Sequence, residues 1–198
     1  MTVRGADESE IEGKLAPVVA EVRRRLGNFI LAEDDDTLEG VILKALQRQG
    51  GSLALVEMFT GGLIAARMAP LPGAERVFRR GTVARDIGEI ADMFRLSGQR
   101  PEISRETAEA VAETARRQSD ASHALAVLID LDDGPDRIDF GGSICIGIAT
   151  EEETVSRRSR ILGGRDWVRL GAVELGLDCL RRQLYGLPVS ERIDFERT

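Results

Sequence analysis

The chain has 198 residues, 42% of them hydrophobic, which suits one domain with a sizeable core and an appended arm. Its net charge is -7 and its sequence pI about 5.0, so no broad basic surface exists to favour nucleic acid or an anionic membrane. The two cysteines, Cys145 and Cys179, form neither a CxxC nor a zinc pattern and are expected to be reduced and buried.

Leu15, Val18, Val19, Val22 and Leu26 recur at helical spacing, so residues 8–26 read as a helix with Gly27 as its stop. Pro17 falls inside the pattern and offers an alternative start, because proline is welcome in a first turn. The stretch "NFILAEDDD" reads as loop. Asp36, with Glu39 three residues on, reads as the cap of a second helix whose stripe is Leu38, Val41, Ile42, Ala45 and Leu46. Residues 52–56 are a buried strand, followed by a Thr-Gly-Gly turn and a helix over 62–69.

Residues 76–84 read as a strand and 87–96 as a helix. Ser104 is expected to cap the next helix, on which Ala108, Val111, Ala112 and Ala115 align. Strands follow at 123–130, 143–150 and 154–162, the last half-exposed with its arginines on a wet face. A final helix starts at Asp166 and stops at Gly186. This order predicts an α/β fold, a layered α/β/α domain with a mixed sheet. The expected divisions are 1–36 (helix and extended arm), 37–187 (the α/β domain) and 188–198 (a polar tail). The N-terminus has no apolar leader and no apolar run is long enough to span a membrane, so a cytoplasmic location is expected.

The chemistry centres on "LALVEMFTGGLIAARM", residues 53–68. A Gly-Gly turn between strand and helix lets the backbone take unusual dihedrals, and the helix start exposes N–H groups that suit a phosphate or carboxylate. Alone the signal is weak: it is neither a Walker loop nor a dinucleotide fingerprint. Arg67, Arg79, Arg80 and Arg85 surround the turn in sequence and could hold a phosphate with it. Glu57, Asp130, Asp132 and Asp133 sit at or past strand ends, where they could converge on a hard cation or simply form a solvated acidic loop. His123 has no visible partner and reads as structural.

The segment "LALVEMFTGGLIAARMAPLPGAERVFRRGTVA" resembles the signature of the CinA C-terminal domain family, the nicotinamide-nucleotide amidohydrolases. That signature reads strand–A-E-S-C-T-G-G–helix, a P-G-A/S turn, then G-x-V-x-Y-S-N-E-A-K. Glu57, Thr60, Gly61, Gly62, Pro72, Gly73, Gly81 and Val83 stand at matching places. "PEIS" is similar to the family's G-A-V-S segment, with Ser104 at the helix start, and "GSICIGIAT" is similar to its G-T-V-x-x-A strand. The stretch from Val22 to Leu46 resembles the helix that joins two domains in long members.

The resemblance implies an α/β domain, often dimeric, that hydrolyses the carboxamide of nicotinamide mononucleotide. It implies a serine nucleophile helped by a tyrosine and a lysine. At those three places this chain has Met58, Arg85 and Ile90, and "DLDDGPD" stands where the family has a glycine-rich loop. A thioether has no proton to lose, so amidohydrolase activity is expected to be absent. The reading that follows is a binding or assembly module, dimeric, needing no cofactor or metal. It has a nucleotide-like ligand near Glu57, Met58, Phe59, Thr60, Gly61, Gly62, Arg85, Ser104 and Asp130, unless Met58 and Phe59 fill the pocket. Two rivals stay open: an enzyme of altered chemistry using Glu57, Thr60, Asp130 or the acidic loop, and a structural subunit that pairs with an active relative.

Overall fold

Residue parity along the central strands sorts side chains onto two faces of one sheet, and each face has its own core. The computed structural model describes residues 3–96, 101–132 and 140–191. Its helices are α1 (Glu8–Leu26), α2 (Leu38–Arg48), α3 (Leu63–Met68), α4 (Ile87–Phe94), α5 (Arg105–Gln118) and α6 (Arg165–Leu184). Its strands are β1 (Leu53–Met58), β2 (Phe78–Ala84), β3 (His123–Leu131), β4 (Gly141–Ala149) and β5 (Thr154–Leu162). They form one mixed sheet in the order β2-β1-β3-β4-β5, with β1 parallel to β2 and β3, and β4 antiparallel to β3 and β5.

All six residues of β1 are buried, as befits an inner strand covered on both faces. Leu53 and Leu55 of β1, with Leu125, Val127 and Ile129 of β3, pack under α2, α3 and α6. Ala54, Val56 and Met58, with Ala124, Ala126 and Leu128, pack under α4 and α5. The helices therefore lie on both sides of the sheet, an α/β/α layering. Among the described residues no helix is long and apolar enough to cross a membrane.

Helix α1 spans Glu8–Leu26 as its spacing predicts rather than starting at the alternative, Pro17, because Asp7 caps it by accepting from the Glu10 N–H. Several other element ends differ from the sequence expectation. Thr37, not Asp36, caps α2; Asp36 instead takes the Lys44 ammonium. Strand β1 continues two residues beyond the expected end, through Glu57 to Met58. Arg157 and Ser159 are buried rather than on a wet face: Arg157 donates to the Val189 carbonyl at 2.8 Å and to Ser159 Oγ at 3.2 Å.

A second buried polar cluster ties Asn28 and residues 188–191 to α6. The Asp178 carboxylate takes Arg181 at 2.7 Å and Arg182 at 2.8 Å. Arg181 donates to the Asn28 carbonyl at 2.7 Å, and Arg182 donates to the Pro188 carbonyl at 3.1 Å and pairs with Glu191. Residues 28 and 188–191 are thus anchored, whereas α1 has no buried residue.

One close approach constrains β4. At Gly147 a methyl group would overlap the Ala108 carbonyl of α5, because the helix backbone lies directly on the strand. Gly147→Ala is expected to lower stability by about 3 kcal/mol, since overpacking against backbone cannot relax by rotamer change. Thermal unfolding should fall by roughly 6–12 °C; an unchanged midpoint would contradict the packing of α5 on β4.

Candidate functional site

The turn after β1 is organised by one buried carboxylate. Glu57 shares the face of Leu53 and Leu55, inside the sheet's core, where an unpaired charge would be costly. Its two oxygens accept from Thr60 Oγ1 at 2.6 Å, the Ile64 N–H at 3.0 Å and the Ala65 N–H at 2.8 Å. The last two are first-turn amides of α3, so Glu57 fills the positive end of that helix from within the fold.

The chain reverses sharply to allow this. Phe59, Gly61 and Gly62 have φ of 73°, 73° and 82°. At Gly62 the left-handed dihedral disfavours any side chain, and a Cβ would also press closely on Val83. Phe59 adopts the same backbone region without that freedom, at a cost of roughly 1–2 kcal/mol. Among the described residues no acceptor takes the backbone N–H groups of Gly61 and Gly62.

Met58 and Phe59 point to opposite sides. Met58 is 3% exposed and lies in the cluster of Ala84, Ile87, Ile90 and Phe94. Ile90, fully buried, is in that same cluster. Phe59 packs instead on the core beneath α2, α3 and α6. Two guanidinium groups sit on its ring: Arg85 at 4.7 Å from the centroid and Arg165 at 5.8 Å. Arg165 is more than a hundred residues away in sequence, and nothing in the turn's own pattern points to it.

The other candidates separate. Arg67 is committed to Glu39 and Glu174, and Arg79 and Arg80 lie at the far, N-terminal end of β2. Of the four arginines, the structure brings only Arg85 to the turn. Glu57 and Asp130 do not converge: Glu57 is paired in register with Val127, so Asp130, three residues on, faces the opposite side of the sheet. Asp130 is exposed, Asp132 is held by the Arg160 guanidinium at 2.6 Å, and Asp133 lies outside the described residues. No group of three or more potential metal ligands occurs among the described residues.

Ser104 caps α5, accepting from the Thr107 N–H at 3.1 Å. Its hydroxyl also lies 3.1 Å from Thr107 Oγ1.

His123 Nδ1 lies 2.8 Å from Ser122 Oγ at the opposite end of β3 from the turn. Burial, with the Arg116 charge second, holds its imidazole below the ordinary value, so it is neutral near pH 7. Both cysteines are buried, and burial pushes the Cys145 thiol up to about 11, which makes it a poor nucleophile.

The comparisons with known proteins agree with this architecture. The family model described as the CinA C-terminal domain matches residues 35–184. A CinA-like protein of Frankia casuarinae is 36% identical over 198 residues, covering 96% of this chain and 45% of that protein. The chain spans about half the length of the curated relatives it matches. Among solved structures, a competence/damage inducible protein from Agrobacterium tumefaciens superposes with a TM-score of 0.64 at 22% identity, covering 78% of this chain and 99% of that one. A CinA superfamily protein from Enterobacter cloacae gives 0.65 at 20% identity, covering 77% and 96%. At such identities these structures establish the shared fold alone.

Because Glu57 satisfies three donors in a buried setting, Glu57→Ala is expected to lower stability by roughly 3–5 kcal/mol. Glu57→Gln should cost about half as much, since one amide oxygen still accepts. Denaturant midpoints with unchanged slopes would measure this, and a loss below about 0.5 kcal/mol in Glu57→Ala would contradict the capping role.

Proposed function

The chain belongs to the CinA C-terminal domain family, and from that membership we propose that it keeps the family scaffold without its amidohydrolase chemistry and acts as a binding or assembly module. The observation that carries the reading is the placement of Met58 and Ile90 in one apolar cluster. These are the positions the resemblance assigns to the nucleophilic serine and its lysine. A thioether cannot lose a proton and an alkyl chain cannot accept one, so the pair offers no route to an acyl-enzyme. Arg85, at the tyrosine's place, offers N–H donors and no acceptor, so it cannot serve as a base.

The turn's remaining hydroxyl does not favour a rebuilt catalyst. Thr60 is 1% exposed and its hydroxyl donates to Glu57, whose oxygens also hold α3. A substrate would have to displace that cap to reach it. What suits a ligand is the outer side of the turn. Arg85 and the N–H groups of Gly61 and Gly62 supply donors for a phosphate or carboxylate, so the ligand class proposed is a small nucleotide-like anion.

Met58→Ser is expected to release no ammonia from nicotinamide mononucleotide above background. Returning one group of three leaves the serine without a base, and such groups act as a unit worth on the order of 10⁴-fold or more. Ammonia from that variant would show that a base is present and overturn the reading. In calorimetric titration with nicotinamide mononucleotide, Arg85→Ala should weaken binding roughly tenfold. Binding that ignores Arg85 would place the ligand elsewhere.

A further inference from the structure

An open cleft of about 620 Å³ lies beside the first residues of β5, between Glu109 of α5 and the segment that follows α6. The strand register carries Val56 of β1 through Ala126 and Gly147 to Ser156, so the cleft stands three strands, about 14 Å, across the sheet from β1. One wall is fixed by two buried guanidinium groups: Arg182 donates to the Pro188 carbonyl at 3.1 Å and Arg157 to the Val189 carbonyl at 2.8 Å. Val155 and Val189 supply apolar lining, both packed on the core beneath α2, α3 and α6.

The charged side chains lining the cleft are both carboxylates. Glu109 accepts from the Ser156 hydroxyl, a neutral donor that leaves its charge uncompensated. Glu153 is placed by the β4–β5 hairpin, where the Thr150 N–H and hydroxyl donate to its backbone carbonyl at 2.8 and 3.0 Å. No arginine, lysine or histidine lines the cleft, and among the described residues neither carboxylate has an ion-pair partner. Gln183 reaches the cleft from the last turn of α6. Among the described residues its Oε1 is the one buried side-chain nitrogen or oxygen with no hydrogen-bond partner. An unmet acceptor is destabilising, and the terminal torsion of a glutamine is soft enough to turn the oxygen onto a donor in the cleft.

These groups select the ligand. Both acids would repel an anion. A hard metal ion needs more oxygen ligands than two carboxylates and one amide, and no group of three His, Cys, Asp or Glu side chains suited to a metal occurs among the described residues. An ammonium group meets the whole set: it carries three N–H donors, pairs with carboxylates, and lets an aliphatic stem lie along Val155 and Val189. Glu109 is tied to Ser156, and Glu153 stands three residues earlier on the same chain, at most about 10 Å away along the backbone. That span suits a short chain with an ammonium at each end.

We propose that this cleft binds a short aliphatic diamine, its two ammonium groups shared among Glu109, Glu153 and the Gln183 amide, with its chain against Val155 and Val189. The site is separate from the turn after β1 and does not depend on the reading of its chemistry.

Calorimetric titration of the full chain with putrescine at low salt tests the proposal. One putrescine per chain should bind saturably, and butylamine, with a single ammonium, should bind about threefold more weakly or worse. Gln183→Met should weaken putrescine binding about tenfold while leaving the unfolding midpoint of the ligand-free chain unchanged or higher, because it removes an unmet acceptor. Glu109→Gln and Glu153→Gln should each weaken binding about threefold or more and flatten its salt dependence. Absence of saturable binding, equal binding of butylamine, or binding that ignores Gln183→Met would each overturn it. So would loss of binding in Gln183→Met together with a lowered midpoint, which would mark the amide as structural.

Discussion

The Glu57 carboxylate, buried at the end of β1, is the constraint from which the geometry of the turn follows. A charge in that position is tolerated only because Thr60 and two first-turn amides of α3 donate to it. In return, a six-residue helix gains a firm start immediately after the strand. The connection between them is so short that Phe59, Gly61 and Gly62 all take left-handed dihedrals. Thr60 is drawn inward and Met58 stays on the strand, while among the described residues no acceptor takes the Gly61 and Gly62 amides.

Strand parity then decides what each residue at this edge can do. Met58 falls on the face covered by α4 and α5, where Ala84, Ile87 and Ile90 complete an apolar cluster. A thioether fits irregular gaps in such a cluster, and nothing there ionises. Phe59 falls on the other side, under the guanidinium groups of Arg85 and Arg165. One side of the edge is core, and the other is an aromatic ring beneath two positive charges. On the reading proposed above, these groups hold an anion rather than transfer a proton.

Much of the fold was legible because periodicity and caps report local forces. The apolar run of β1, the Ser104 cap and the stripes of α2 and α5 appear in the sequence and in the structure. Boundaries slipped where two capping residues competed, as at Asp36 and Thr37. The role of Glu57 was hidden because two of its three donors lie seven and eight residues ahead, across a turn whose dihedrals no pattern specifies. Arg157 looked like a surface residue because β5 alternates polar side chains. Its burial depends on the Val189 carbonyl, brought there by the anchoring of residues 188–191 to α6. Arg165 was invisible for the same reason: tertiary structure, not spacing, sets it over Phe59.

Residue Asn28 is anchored by the Arg181 guanidinium, while α1 before it has no buried residue. At the turn, the central claim is that a family scaffold persists without the family's catalyst. The most direct measurement is to incubate the full chain with nicotinamide mononucleotide and follow the pyridine protons by NMR. The account predicts that no nicotinate mononucleotide signals appear, whether or not the ligand's lines broaden on binding. Growth of those signals in proportion to protein concentration would contradict it.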